Sequence, residues 1–199
     1  MKHLIPDLRA ATAATLSLVF LCCGVYPLAV YALAQLAFPS QANGSLIRGP
    51  DGTVLGSELV GQGFTQLKYF HPRPSAAGAN GYDATSSGGA NLGPTSRTLH
   101  DAIQHRAELY RAENGLAPTA VIPADAVTAS ASGLDPHISP RNAELQSDRI
   151  ARARGWTRSQ VLDLIHAHLE SPSSPFRLGE PRVNVLRLNL ALDSTTPKP

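Results

Sequence analysis

The sequence predicts an α+β fold, a compact domain carried behind one N-terminal apolar helix. Three observations predict it. An uncharged apolar run fills residues 10–38, helical periodicity and capping signals recur between residues 97 and 169, and a late alternating run at 183–192 reads as a strand. Short strands among several helices, without regular strand–helix alternation, argue against a parallel α/β sheet.

None of the 17 Lys and Arg or the 15 Asp and Glu falls between Arg9 and Arg48. About 20 helical residues cross a hydrocarbon layer of roughly 30 Å, so residues 10–36 are expected to form a transmembrane helix. Lys2 and Arg9 precede the span, which places residues 1–9 in the cytoplasm and residues 37–193 outside. The remaining 194–199 read as a disordered tail. The span offers no ionisable group, so it is an anchor or a packing partner. Ala10 with Ala14, Ala13 with Ser17, and Gly24 beyond them give small side chains that let another helix approach. The alternative is a signal peptide, cut after Ala34 in the small-x-small stretch Ala32-Leu33-Ala34 to release a soluble exported enzyme. The apolar run exceeds the usual signal core of about 7–15 residues, and Leu21 is too large to precede a lipidated Cys22.

In the exported part, residues 45–48 and 53–60 flank Pro50-Asp51-Gly52 and predict a small hairpin near the membrane. Leu99, Ile103 and Tyr110 recur near helical spacing, and Asn114-Gly115 supplies a stop, so 97–113 is a helix. Ser139-Pro140 starts another, which ends at Gly155. Thr157 and Gln160 then form a capping box with Trp156 and Val161 as a hydrophobic staple. A helix begins at Arg158 with Val161, Leu162, Ile165 and Leu169 as its buried stripe. Two helices thus meet at a tight corner. The period-2 series ending at Leu192 predicts a strand over 183–192.

Composition and motifs exclude several functions. A formal net charge of +2, from 14 Arg and 3 Lys against 15 acids, is too small for a nucleic-acid footprint. Cys22 and Cys23, both in the apolar run, provide neither a disulfide framework nor paired zinc ligands. No phosphate-binding G-x-x-x-x-G-K-[ST] loop exists, nor an Asp-Lys-Thr-Gly phosphorylation stretch, and one helix cannot enclose an ion path, so the chain is not a pump by itself. The nucleophile elbow G-x-S-x-G is absent, and Ser86-Ser87-Gly88-Gly89 reads as a turn. His71, Asp83, Asp135 and His137 are the residue types of acid–base or metal chemistry, but their spacing fits no template, and satisfaction of loop backbone groups is the plainer role. His166 and His168, two apart on a helix, face different sides.

What remains is an unusual amount of specific-looking irregular chain, Phe70 to Arg73 and Tyr82 to Ser96, and ordered loops of that length bind partners. Four stretches of this sequence resemble the KdpC family, the small C subunit of the Kdp potassium-transporting ATPase. They are Tyr69-Phe70-His71-Pro72-Arg73-Pro74-Ser75, the run YDATSSGGANLGP from Tyr82 to Pro94, the run DAVTASASGLDPHISP from Asp125 to Pro140, and VNVLRLNLAL from Val183 to Leu192. Their order, the single N-terminal span and the overall length agree with the family.

The resemblance implies a non-catalytic, single-pass subunit of the bacterial inner membrane, beside a channel-like A subunit, a P-type ATPase B subunit and a small F subunit. It implies a catalytic chaperone that raises the affinity of the B subunit for ATP. ATP and potassium then act in the assembled complex, and this chain carries no cofactor of its own. With the domain outside, any influence on cytoplasmic ATP has to be allosteric. The residues expected to order loops or contact partners are Phe70, His71, Arg73, Pro74, Tyr82, Asp83, Asn91, Gly93, Pro94, Asp135, Pro136 and His137.

Overall fold

A computed structural model describes residues 4–171 and 179–195. The chain divides into two compact units, Met1–Leu46 and Ile47–Pro199.

The first unit is dominated by helix α1 (Leu4–Val19), a π-helical turn (Phe20–Val25) and helix α2 (Tyr26–Ala37). Together they give an exposed apolar helix of 33 residues over Ile5–Ala37, within which an 18-residue window has a mean hydropathy of 2.1. At about 1.5 Å per residue its length is about 50 Å, more than a hydrocarbon layer needs. It starts before the expected Ala10 and takes in Asp7 and Arg9. Pro27 has no N–H to return to the preceding turn and its ring crowds the carbonyl there. The wide turn sits just ahead of it, with the Tyr26 N–H donating to Leu21 O. After α2, the short turn α3 (Pro39–Ala42) is stapled by Asn43, whose Nδ2 donates to Pro39 O at 2.6 Å and to Gln35 Oε1 at 3.1 Å.

In the second part of the chain, β1 (Leu46–Arg48) pairs with β2 (Val54–Ser57) as the expected hairpin. Asp51 closes its turn by accepting from Thr53 N and Oγ1. Helix α4 (Arg97–Asn114) starts at a Ser96 cap and stops at Gly115, whose φ of 65° is left-handed. A 3₁₀ turn at Ala124–Ala126 leads to strand β3 (His137–Ile138) and helix α5 (Pro140–Arg154), capped by Ser139 and ended by Gly155. Helix α6 (Arg158–Ala167) begins with both halves of the Thr157–Gln160 capping box in place. Strands β4 (Leu169–Glu170) and β5 (Arg182–Asn184) and helix α7 (Val185–Ser194) complete the chain.

The sheet order is β3-β5-β4, antiparallel throughout, with Ile138 opposite Val183 and Leu169 also opposite Val183. The core joins this sheet to α5, α6 and α7 through Phe70, Ile138, Ile150, Val161, Ile165, Val183, Leu188 and Leu192.

Three expectations change. Of the alternating run 183–192 only Val183 and Asn184 are strand, at the end of β5, and 185–194 form α7. Asn184 caps it by accepting from Arg187 N, and the buried positions 185, 186, 188, 189 and 192 follow helical rather than alternate spacing. The alternation of Leu with Arg and Asn hid Asn189 as a core residue. Leu169 lies past the end of α6 on β4 and is exposed, so the helical stripe ends at Ile165. Ser194 and Thr195, assigned to the tail, close α7 through bonds to Ala191 O, while 196–199 lie outside the described residues.

Candidate functional site

The Phe70–His71 segment runs between two helices whose carboxamide side chains hold it as a neighbouring strand would. Asn189 on α7 accepts from Phe70 N at 2.8 Å and donates to Phe70 O at 3.0 Å. Gln146 on α5 accepts from His71 N at 2.7 Å and donates to His71 O at 3.0 Å. Both carboxamides are buried, and the Phe70 ring fills the core. Irregular backbone thereby enters the interior with its polar groups satisfied.

Arg149, one turn beyond Gln146, is buried and surrounded by neutral acceptors: Asn114 Oδ1, Gln146 Oε1, Leu67 O and Tyr69 O. Desolvation lowers its affinity for the proton, and the Glu113 carboxylate works the other way. Asn142, a turn before Gln146, passes the network on to Tyr110 and Asp125. Burial, then the charge of Asp125, pushes the Tyr110 phenol well above its usual range. The His71 ring places Nδ1 3.0 Å from Glu113 Oε1 and Nε2 3.1 Å from Gln66 O. Burial, then the Arg149 charge, holds its proton affinity below that of an ordinary histidine, outweighing Glu113.

A second network ties the 70s loop to the sheet. Arg73 Nη1 donates to Asp135 Oδ2 at 2.9 Å, and Asp135 Oδ1 accepts from His137 N at 3.0 Å and lies 3.3 Å from His137 Nδ1. The far nitrogen of His137 meets Glu170 Oε2 at 3.4 Å, which Arg182 also reaches. Burial alone raises the Asp135 carboxyl, but the bonds from His137 and Arg73 prevail and hold it at about 2. Asp125 accepts from Ser139 N and Oγ across the start of α5. Arg73, Asp125, Asp135, His137, Arg141 and Arg182 line a cavity of about 630 Å³. Pro136 is buried and its carbonyl accepts from Val185 N at the head of α7.

The third element is the loop after Pro74, which is half-buried. Tyr82 has a left-handed φ of 57°. Its N–H donates to Ser75 Oγ, its hydroxyl donates to Arg73 O, and burial pushes the phenol up to about 12. Gly133 fits under this loop because it lacks a side chain: with φ at +68°, a Cβ there would sit 2.6 Å from Gly88 O and 2.7 Å from Ala77 N. Gly88 N and Ser87 Oγ both donate to Ser132 O. Above these anchors residues 83–87 and 90–95 are exposed. Asp83 is exposed and accepts from Thr85 N and Oγ1, which lowers its carboxyl. Asn91 (φ 51°), Gly93 and Pro94 are exposed as well, and Gly93 O accepts from Ser96 N ahead of α4.

The motif residues therefore divide. Phe70, His71, Arg73, Tyr82, Asp135, Pro136 and His137 hold the scaffold, whereas Asp83, Asn91, Gly93 and Pro94 face outward. His71, Asp83 and His137 belong to separate networks rather than to one acid–base constellation. Ala10, Ala13, Ala14 and Ser17 lie exposed on α1, whereas Gly24 is within the π turn, so 3.6-residue spacing does not carry to it. Asn142, Gln146, Arg149 and Asn189 were missed. The first three recur at i, i+4 and i+7 along α5, among the apolar positions Ala143 and Ile150, and polar residues on an apolar face are the signal that reveals them.

Residues 8–194 match the family described as KdpC: K+-transporting ATPase, c chain. The chain is 55% identical over 188 residues to a potassium-transporting ATPase KdpC subunit of Nitratidesulfovibrio vulgaris, covering 94% of this chain and 93% of that one. A protein of the same name from Caulobacter vibrioides is 56% identical over 172 residues, 86% of this chain and 85% of its own. One from Caulobacter sp. is 50% identical over 197 residues, 99% of this chain and 96% of its own.

Proposed function

The chain belongs to the KdpC family, the c chain of K+-transporting ATPases, and from that premise we propose that it is a non-pumping subunit anchored by its apolar helix, with its second unit outside the cytoplasm. The observation that carries this reading is the exposed segment 83–95, fixed from below by Tyr82, Gly88 and the Gly133 contact. An irregular surface held that firmly is suited to docking, because little ordering entropy remains to be lost on association.

The partner it faces is the channel-like A subunit, near the potassium entrance, while the helix packs among partner spans. The neighbours in the complex also include the B and F subunits. Lys2 and Arg9 before the helix favour a cytoplasmic N-terminus. From outside, the domain raises the affinity of the B subunit for ATP by allosteric coupling, through a difference in its own contacts between two states of the complex. ATP and potassium are handled by the partners. The released-enzyme alternative draws no support from His71, Asp83 and His137, each of which is engaged in a different network.

Purification from membranes containing all subunits tests the reading. A tag on this chain is expected to bring down the ATPase subunits, and an impermeant maleimide added to intact cells is expected to label a cysteine placed in the second unit. Elution of the chain alone would contradict the subunit role, and labelling only after lysis would contradict the orientation.

A further inference from the structure

The β1–β2 hairpin exposes more apolar side chain than its size explains. Leu46, Val54, Leu55 and Leu59 are 43%, 52%, 40% and 63% exposed on or just beyond the two strands. A two-stranded ribbon is marginal by itself. This one is tethered at one end, where Gln62 Nε2 donates to Leu55 O, Asn184 Nδ2 donates to Glu58 O, and Arg187 pairs with Glu58. That tether leaves the four apolar side chains uncovered.

The covalent chain indicates what covers them. Residues 38–45 alone separate the apolar helix from β1. Fully extended, eight residues reach about 28 Å, and the four in α3 advance only about 1.5 Å each. Phe38, an exposed aromatic, directly follows α2 where a headgroup-level anchor is usual. Resting on the reading that this helix spans the bilayer, we propose that the hairpin is a lipid-contacting element that lays its Val54 face, with Leu59 beyond the strand, in the interfacial layer of the leaflet from which the helix emerges, Leu55 being on the opposite face of the ribbon.

Charge sets its attitude. Asp51 at the turn is kept ionised by its bonds from Thr53, so the hairpin lies along the surface rather than entering tip first. Glu58 is neutralised by Arg187, and Arg48, exposed on β1, is placed to meet a lipid phosphate.

The test uses the transport complex in vesicles of phosphatidylethanolamine and phosphatidylglycerol. Cys22→Ser and Cys23→Ser remove the native thiols, and single nitroxides are attached at Val54→Cys and Leu59→Cys, with Leu28→Cys on the helix and Glu108→Cys on α4 as references. Collision rates with oxygen and with a nickel chelate report lipid and water. At Val54 and Leu59 the oxygen-to-nickel ratio is expected to exceed that at Glu108 several-fold and to approach that at Leu28. A ratio equal to that at Glu108 overturns the inference, as does shielding from both reagents, the mark of a protein partner. A water-like Leu28 would remove the spanning reading itself, and the inference with it.

Discussion

Asn189 and Phe70, 119 residues apart in the chain, share two hydrogen bonds through one carboxamide, its oxygen accepting at 2.8 Å and its nitrogen donating at 3.0 Å. The pair joins the last helix to the first motif in the interior. Asn189→Ala orphans a buried N–H and a buried carbonyl, and a loss of about 2 kcal/mol or more is expected. Asn189→Asp keeps the acceptor but sets a carboxylate against Phe70 O, and it is expected not to rescue. Denaturant midpoints of the full chain in detergent check both.

Arg149 supports the same segment from α5 with four acceptors around one guanidinium. Arg149→Met takes the donor from Asn114 Oδ1, Leu67 O and Tyr69 O, while Gln146 Oε1 keeps the His71 N–H, and about 3 kcal/mol or more should be lost. Arg149→Lys has three N–H groups on a single nitrogen and cannot reproduce the fork, so its midpoint is expected to lie nearer the Met variant than the parent.

Two glycines in contact through one carbonyl are expected to respond oppositely. Gly133→Ala forces a left-handed alanine into Gly88 O and Ala77 N, at a cost of about 1–3 kcal/mol. Gly88→Ala meets nothing within 4 Å and its φ is not left-handed, so a change within about 0.5 kcal/mol is expected. Amide exchange at residue 88 should accelerate in the first variant alone.

Two of the groups shifted by the fold, His71 and Asp135, give separable parts of the pH dependence. His71 binds a proton less readily in the fold than its ordinary value of 6.5, so between 6.5 and its lower folded value the unfolded chain holds more protons. Stability from His71 is full above about 6.5 and declines as pH falls through that window. His71→Gln should flatten this part of the profile. Asp135 is held at about 2 against an ordinary 3.8, so its contribution persists above 3.8 and is lost on acidification towards 2. Asp135→Asn should shrink that second decline and leave the part that comes from Asp193, whose carboxyl, raised by burial, is also lowered on balance by its bonds from Arg154 and Tyr69. Thermal midpoints measured from pH 8 to pH 2.5 check both.

The sequence revealed the local signals and missed the long-range ones. The Thr157–Gln160 box, the Ser139 cap and the glycine stops at 115 and 155 are encoded within a few residues, and each lies where it was expected. The run from Val183 to Leu192 failed because Leu, Arg and Asn can alternate on a strand or mark the faces of a helix. The Asn184 cap and the pairing of Asn189 with Phe70 decide between them, and the second spans most of the chain. At the candidate site His71, Asp83, Asp135 and His137 stood out by residue type, and Arg73 and Tyr82 through the resemblance of their segments to the family. Gln146 and Arg149 looked like ordinary polar residues of an exposed helix face until the irregular backbone they bind was placed beside them.

The central claim is that residues 83–95 form the face that meets a partner subunit, and the most direct measurement is labelling of Ala90→Cys in a chain carrying Cys22→Ser and Cys23→Ser. Ala90 is exposed and small, so the substitution leaves the scaffold beneath it intact. A maleimide is expected to react readily with the isolated chain and many-fold more slowly with the assembled complex, while Glu108→Cys reacts alike in both. Equal rates at Ala90→Cys in the two preparations would contradict the account.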